Sequence, residues 1–134
     1  MLGRYEVSVS LAVKDLATAR NFYKDKLGLM LEKEGAYEAT YSSGHVKVQV
    51  YISSEAGSNK GTAATWEVEN IEAEVAELRG KGIEFEHYTN SGMEVQDDVH
   101  IADGEKAAWF KDPDGNILCL HSGSPSERLD VRLS

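Results

Sequence analysis

The sequence predicts a mixed α+β fold, made of two βαβββ modules that form an incomplete mixed β-barrel with a central groove. Three observations lead to this prediction. A short pattern occurs twice, as Val13-Lys14-Asp15-Leu16 and again as Val68-Glu69-Asn70-Ile71. Each copy follows a segment of alternating apolar residues, and each precedes a helical pattern that a glycine closes. An internal repeat of this length indicates one supersecondary unit used twice.

The first module opens with a strand and a helix. Apolar residues alternate over positions 7–13, which predicts a half-buried strand. Asp15 then supplies a carboxylate that can accept from the first free N–H groups of a helix. Apolar residues recur at helical spacing until Gly28, which can adopt the left-handed conformation that ends a helix. Further strands are predicted at 29–34, 37–42 and 46–52.

The second module repeats this plan. An alternating strand precedes the predicted cap Asn70, and an apolar helical stripe follows until Gly80 and Gly82. The polar segment 89–104 is predicted to be a long loop with a short strand. Later strands are predicted at 83–88, 107–111 and 117–121. The last two are joined by Asp112-Pro113-Asp114-Gly115-Asn116, whose proline and glycine suit a tight turn.

The length of the chain, 134 residues, favours one domain with a real core. We expect a single domain over 1–134. Its predicted parts are module one at about 5–53, a small polar linker at about 54–61, module two at about 62–121 and a polar tail at 122–134.

Charge and cysteine content restrict the classes of partner. Asp and Glu number 23 against 14 Lys and Arg, which gives a net charge of −9. This argues against nucleic acid and anionic membranes as partners, and it permits a cationic ligand. Cys119 is the single cysteine, so an intrachain disulfide is impossible, as fits a reducing cytosol. No apolar run suits a signal peptide or a membrane span, and we expect a cytoplasmic protein.

These motifs resemble the vicinal oxygen chelate superfamily of glyoxalases, bleomycin-resistance proteins and extradiol dioxygenases. The resemblance rests on the repeated capping patterns, on Phe22-Tyr23 and Leu27-Gly28-Leu29, and on the segment from Trp109 to Asn116. It implies two modules around a cleft, and we expect a homodimer. In metal-using members of the superfamily, four inward side chains hold a divalent ion that also binds two substrate oxygens.

The positions that the resemblance assigns to metal ligands do not carry suitable side chains here. Counting back seven residues from each helix cap gives Ser8 and Ala63, and counting four past the glycine of the turn gives Cys119. Gln49 falls at the remaining position. Alanine has no donor, serine is a poor ligand and a thiol is soft, so we expect neither the usual metal nor another cofactor.

The predicted function is the binding of a small organic molecule in the groove. By analogy with bleomycin-resistance proteins, the compound would be cationic or planar, and it would be sequestered. Two alternatives stay open: a metal-dependent enzyme of the glyoxalase or dioxygenase type with a rearranged site, and a structural or interaction module. No catalytic residue is assigned. The predicted ligand-binding residues are Ser8, Ser10, Gln49, Tyr51, Thr65, Trp109 and Cys119.

The candidates for a catalytic role are Cys119, His121 and His100. Cys119 and His121 share a strand face, but neighbours on one face lie about 6.5–7 Å apart, beyond direct hydrogen-bond reach. A buried thiol that fills space is the favoured interpretation. His100 follows two aspartates and could act as a general base, whereas a surface-loop histidine is the simpler interpretation. Tyr88 is a candidate wall of the groove, whereas ordinary core packing is the favoured interpretation for any one such aromatic residue.

Overall fold

The computed structural model describes residues 1–89 and 92–123, and the predicted tail from residue 124 onward lies outside the described residues. The structure confirms the mixed α+β class, with two sheets that each remain open. The chain divides into two compact units. The first unit comprises Met1–Ala63 with Asp112–Ile117, and the second comprises Ala64–Lys111 with the segment from Leu118.

The first unit follows the predicted order of elements. A single 3₁₀ turn at Leu2–Arg4 precedes the first strand. The helix α1 is continued by a π-helical turn at Asn21–Lys26. The elements are β1 at Val9–Val13, α1 at Leu16–Arg20, β2 at Met30–Glu34, β3 at Glu38–Ser43 and β4 at Val46–Ile52. Their sheet has the order β1-β4-β3-β2, with β1 and β4 parallel.

The π-helical turn explains why two consecutive aromatic residues are both buried. Leu27 donates its N–H to the carbonyl of Phe22, five residues earlier, and Leu29 donates to Tyr23. This wider turn is rare and departs from the regular 3.6-residue spacing. Phe22 and Tyr23 both enter the core, where they are 4% and 0% exposed. Gly28 ends the segment with φ +78, as predicted.

The second unit keeps the predicted plan but contains an additional hairpin. Its elements are β5 at Thr62–Glu67, α2 at Ile71–Gly80, β6 at Phe85–Glu86, β7 at Glu94–Gln96, β8 at Val99–Ala102, β9 at Glu105–Lys111 and β10 at Ile117–Ser122. The strand order is β5-β10-β9-β8-β7, and β6 pairs with β9. The segment 89–104 was predicted to be a long loop with a short strand; it contains two short strands, β7 and β8, which pair antiparallel.

Both helices begin as the sequence predicts. The Asp15 carboxylate accepts from the N–H of Thr18 at 2.8 Å, and the Asn70 side chain accepts from the N–H of Ala73 at 3.1 Å. Each cap satisfies a donor that the first turn would otherwise leave without a partner. Helix α1 packs against β4 and helix α2 against β9. Each helix therefore covers one face of its own sheet.

The Asp112 turn is a structural element. The Asp112 carboxylate is buried and accepts hydrogen bonds from the Tyr23 hydroxyl at 2.6 Å and the Asn116 amide at 2.8 Å. Its other oxygen accepts from the backbone N–H groups of Asp114 and Asn116. Burial and the adjacent Asp112 charge raise the pKa of Tyr23 far above its usual value, so its hydroxyl remains a donor.

Candidate functional site

The seven predicted ligand-binding residues divide between the two sheets. Four belong to the first unit and lie on the open face of its sheet. Ser10 is opposite Gln49 in the parallel β1–β4 register, and Tyr51 is two residues further along β4. All three side chains are exposed, and Ser8 lies just before the start of β1. The structure therefore brings Ser10, Gln49 and Tyr51 onto one solvent-facing surface, which also carries the charged side chains of Glu38 and Lys47.

The other three predicted residues, Thr65, Trp109 and Cys119, share one face of the second sheet. Strand residues alternate between faces, and the residues on the opposite face, such as Phe110 and Leu118, are fully buried. His100 is opposite Ala107, two residues before Trp109, which places its side chain on the same face. We call this surface the polar face; its residues are Thr65, Glu67, His100, Glu105, Trp109, Cys119 and His121.

Two carboxylates flank His121 at one end of the polar face. The Nδ1 atom of His121 lies 2.6 Å from a Glu67 oxygen, and Nε2 lies 3.6 Å from a Glu105 oxygen. Because the two nitrogens of an imidazole point in different directions, the carboxylates occupy different sides of the ring. With one imidazole and two carboxylates, this end of the face carries net negative charge whether or not the ring is protonated.

Aromatic rings occupy the other end of the polar face. The Tyr88 ring meets the Trp109 ring edge to face, with centroids 5.3 Å apart. The His100 ring packs against Trp109 at 4.9 Å and against Tyr88 at 5.8 Å. The two contacts with Trp109 are T-shaped, and such contacts stabilise the arrangement beyond the burial of area alone. Burial, followed by the charge of Glu86, raises the pKa of Tyr88, so its hydroxyl stays protonated.

His100 differs most from its predicted environment. The surface-loop prediction was wrong, because His100 lies on β8 and is 0% exposed. Its Nε2 accepts the backbone N–H of Tyr88 at 2.8 Å, so the neutral ring carries its proton on Nδ1. That Nδ1 makes no hydrogen bond of ordinary geometry, although the Ala107 backbone is nearby. Burial lowers the pKa of His100. The imidazole therefore holds Tyr88 in place.

Cys119 behaves as a buried thiol. It donates to the Leu120 carbonyl at 3.3 Å and is 5% exposed. Burial raises its pKa to about 11, although hydrogen bonds with the Thr65 side chain and the Ala108 backbone act in the opposite direction. Since the thiolate is the nucleophile, this side chain is poorly suited to nucleophilic catalysis at neutral pH.

The side chains at the positions predicted for metal ligands suit a divalent ion poorly. Ala63 offers no donor atom, and Cys119 offers a buried, soft thiol in place of a hard oxygen ligand. Within residues 1–89 and 92–123, no group of three or more His, Cys, Asp or Glu side chains is arranged to hold a metal. His121 does not form such a group, because its two carboxylates contact different ring nitrogens.

Sequence reasoning missed two features of the second unit, of which only the first lies on the polar face. Glu105 was left outside the strand predicted at 107–111, yet it shares the alternation of Trp109 and could have been found by extending that pattern by two residues. The second feature, outside the polar face, is the contact of His87 with the Asp98 carboxylate, which also lies 3.4 Å from Arg79. No sequence signal links these three residues, because the β7–β8 hairpin brings them together.

The family model described as Glyoxalase/Bleomycin resistance protein/Dioxygenase superfamily matches residues 7–120. The chain belongs to this superfamily. The match includes both modules and the turn at Asp112, which confirms the resemblance drawn from the repeated caps. The polar face lies on the second sheet of this fold. Curated proteins provide no significant match to the chain.

Solved structures of this superfamily are similar over almost their whole length. A glyoxalase family protein from Enterococcus faecalis is 25% identical, with a TM-score of 0.69 over 90% of this chain and 99% of that one. The fosfomycin resistance protein FosX from Listeria monocytogenes, in complex with Mn(II) and sulfate, is 14% identical, with a TM-score of 0.71 over 96% and 98%. Lactoylglutathione lyase from Agrobacterium tumefaciens is 16% identical, with a TM-score of 0.69 over 90% and 94%.

Proposed function

We propose that this superfamily member binds a small planar or cationic organic compound on the polar face without the usual metal ion, and that it acts by sequestration. This proposal is supported by the presence of aromatic side chains at one end of the polar face and carboxylates at the other. Tyr88 and Trp109 provide aromatic surface, and Glu67 and Glu105 provide negative charge around His121. Aromatic rings suit a planar body, and carboxylates suit a cationic group.

The chemistry at the ligand positions favours binding over metal catalysis. A buried thiol and an alanine replace two of the side chains that a metal would need. We keep Thr65, Trp109 and Cys119 as the predicted ligand contacts of the second sheet. Ser8, Ser10, Gln49 and Tyr51 remain predicted contacts on the first sheet. The protein is proposed to be a single cytoplasmic domain over 1–134 that forms a homodimer and binds neither nucleic acid nor membranes.

Helical membrane spans are absent from the part of the chain that the structure describes, since none of its helices is both long and apolar enough. The net charge of −9 supports a partner that is uncharged or positive and disfavours polyanions. The net charge therefore agrees with a planar or cationic ligand.

The two tryptophans allow a direct test of ligand binding. Trp109 lies on the polar face and Trp66 alternates to the opposite side of β5. A thermal-shift screen of planar and cationic compounds would first identify a stabilising compound. The Trp66→Phe variant then keeps Trp109 as the sole reporter, and Trp109→Phe keeps Trp66. We expect the compound to change the fluorescence of the first variant and to leave that of the second nearly unchanged.

An alternative is a metal-dependent enzyme with a rearranged site, which the FosX and lactoylglutathione lyase relatives keep open. Elemental analysis of protein purified without chelator separates the two functions. Near-stoichiometric Ni, Zn, Mn or Fe that is lost in Gln49→Ala would overturn our proposal. If no planar or cationic compound stabilises the protein, and no metal is present, a structural or interaction module becomes the better description.

A further inference from the structure

Two hairpin turns in the second unit have the same backbone but different residues. In the β7–β8 hairpin, Gln96 pairs with Val99, so the turn consists of Asp97 and Asp98, with φ 48 and 73. In the β8–β9 hairpin, the turn consists of Asp103 and Gly104, with φ 52 and 79. Positive φ at both central positions is what a two-residue type I′ turn requires, and glycine is preferred at the second.

Asp98 therefore occupies a position where glycine would be less strained. The contacts of the Asp98 side chain explain why this position carries an aspartate. One carboxylate oxygen contacts Nε2 of His87 at 2.5 Å, and the other lies 3.4 Å from the Arg79 guanidinium. The side chain is only 18% exposed, so these charges interact partly shielded from water. Gly104, in the sister turn, has no side chain with which to make such contacts.

These contacts bear on the aromatic end of the polar face. His87 immediately precedes Tyr88, whose backbone N–H donates to the buried His100. The hairpin thus holds two consecutive residues, His87 through the Asp98 side chain and Tyr88 through the His100 ring. The Tyr88 ring packs on Trp109 next to this anchor. Loss of the Asp98 contact would leave His87 with its ring contact to His100 and would loosen the residue that immediately precedes Tyr88.

We propose that Asp98 is a positioning residue that fixes Tyr88 on the polar face, at the expense of strain in its own turn. The arrangement of Tyr88 is independent of any ligand, whereas its effect on binding rests on the proposed function. A group held in its binding geometry before the ligand arrives loses less entropy on association. Asp98 would therefore increase affinity without contacting the ligand.

The test compares Asp98→Gly with Asp97→Gly. Both variants relieve a positive-φ position, but Asp97 is exposed and only Asp98 contacts His87. We expect the Tyr88 amide to exchange with deuterium at least about tenfold faster in Asp98→Gly, measured by NMR, because its local opening becomes easier. In Asp97→Gly the rate should match the native rate. The melting temperature of both variants should be unchanged or higher.

Two further variants keep the test decisive if Asp98→Gly folds poorly. His87→Ala removes the same contact from the other side and should accelerate exchange of the Tyr88 amide similarly. Asp98→Asn tolerates the left-handed backbone and keeps an acceptor, so it should restore part of the protection. Native exchange at Tyr88 in both Asp98→Gly and His87→Ala would overturn the proposal.

The ligand measurement separates this inference from the proposed function. With a compound from the thermal-shift screen, Asp98→Gly should raise Kd by about fivefold and Asp97→Gly should not, because only the first loses the ordering of Tyr88. Faster exchange with no compound bound by any variant would contradict the proposed function alone. An unchanged Kd in Asp98→Gly, together with native exchange, would contradict the role of Asp98 alone.

Discussion

The open face of the first sheet and the polar face of the second sheet differ in burial on related backbones. The first presents exposed side chains of mixed type, Ser10, Gln49 and Tyr51 together with the charged Glu38 and Lys47. The second presents ionisable and aromatic side chains, among which His100 and Cys119 are almost fully buried. Both modules use the same capped helix to cover the opposite face of the sheet.

This difference shows which part of a duplicated unit is free to change. The helix caps and the buried apolar stripes determine whether each module folds, so they remain similar in both. The uncovered strand positions are less constrained by folding, and here they have diverged most clearly in burial. A face that contains buried polar groups indicates a specific role more strongly than a fully exposed one, because buried polar groups need partners.

The largest difference between the faces should appear when one aromatic residue of each is truncated. Trp109→Ala removes a ring that packs against both Tyr88 and His100, and it should lower the free energy of unfolding by about 2–3 kcal/mol. Tyr51→Ala removes a ring that is 41% exposed, and it should cost less than about 1 kcal/mol. Urea denaturation measures both. Equal losses would mean that the two faces are similarly packed.

Local patterns predicted the architecture well. Asp15 and Asn70 cap their helices through side-chain bonds to residues three positions later, and Gly28 has the expected positive φ. Such interactions involve neighbours in sequence, so the residue types alone indicate them. The turn at Asp112 was predicted for the same reason, although its bond to Tyr23 was not.

The β7–β8 hairpin and the burial of His100 could not be predicted in this way. The turn residues Asp97 and Asp98 lack the glycine that usually marks a type I′ turn. His100 is buried because Tyr88 and Trp109, distant in sequence, pack around it. The local sequence, two aspartates before a histidine, suggested a solvated loop. Contacts between distant residues decided the environment of this histidine.

A smaller effect should distinguish the polar face by its dependence on pH. Burial lowers the pKa of His100 below its ordinary value of 6.5, so the unfolded chain binds a proton more readily than the folded protein. The His100 contribution to stability is therefore complete above about pH 6.5 and decreases as the pH falls toward the lower pKa of the folded state.

The control for this pH dependence is His100→Gln, whose side-chain oxygen can still accept from the N–H of Tyr88 but does not titrate in this range. The free energy of unfolding, measured by urea denaturation between about pH 5 and 8, should decrease less steeply on acidification in this variant than in the native protein. This is the range in which histidine ordinarily titrates. The same slope in both proteins would show that the neutral form of His100 is not required by the fold.

The smallest expected effect concerns the charges at the other end of the polar face. Glu67→Gln removes the charge from the contact between Glu67 and His121, but the Glu67 side chain is 51% exposed. Because water screens such pairs, the loss should be only about 0.5 kcal/mol, and it should shrink in about 1 M salt. Gln49→Ala, which removes an uncharged side chain from the open face of the first sheet, should change stability by a similar or smaller amount, with no dependence on salt. If the loss of stability in Glu67→Gln persists at high salt, packing rather than charge accounts for that contact. The carboxylates beside His121 would then give less support to a cationic ligand.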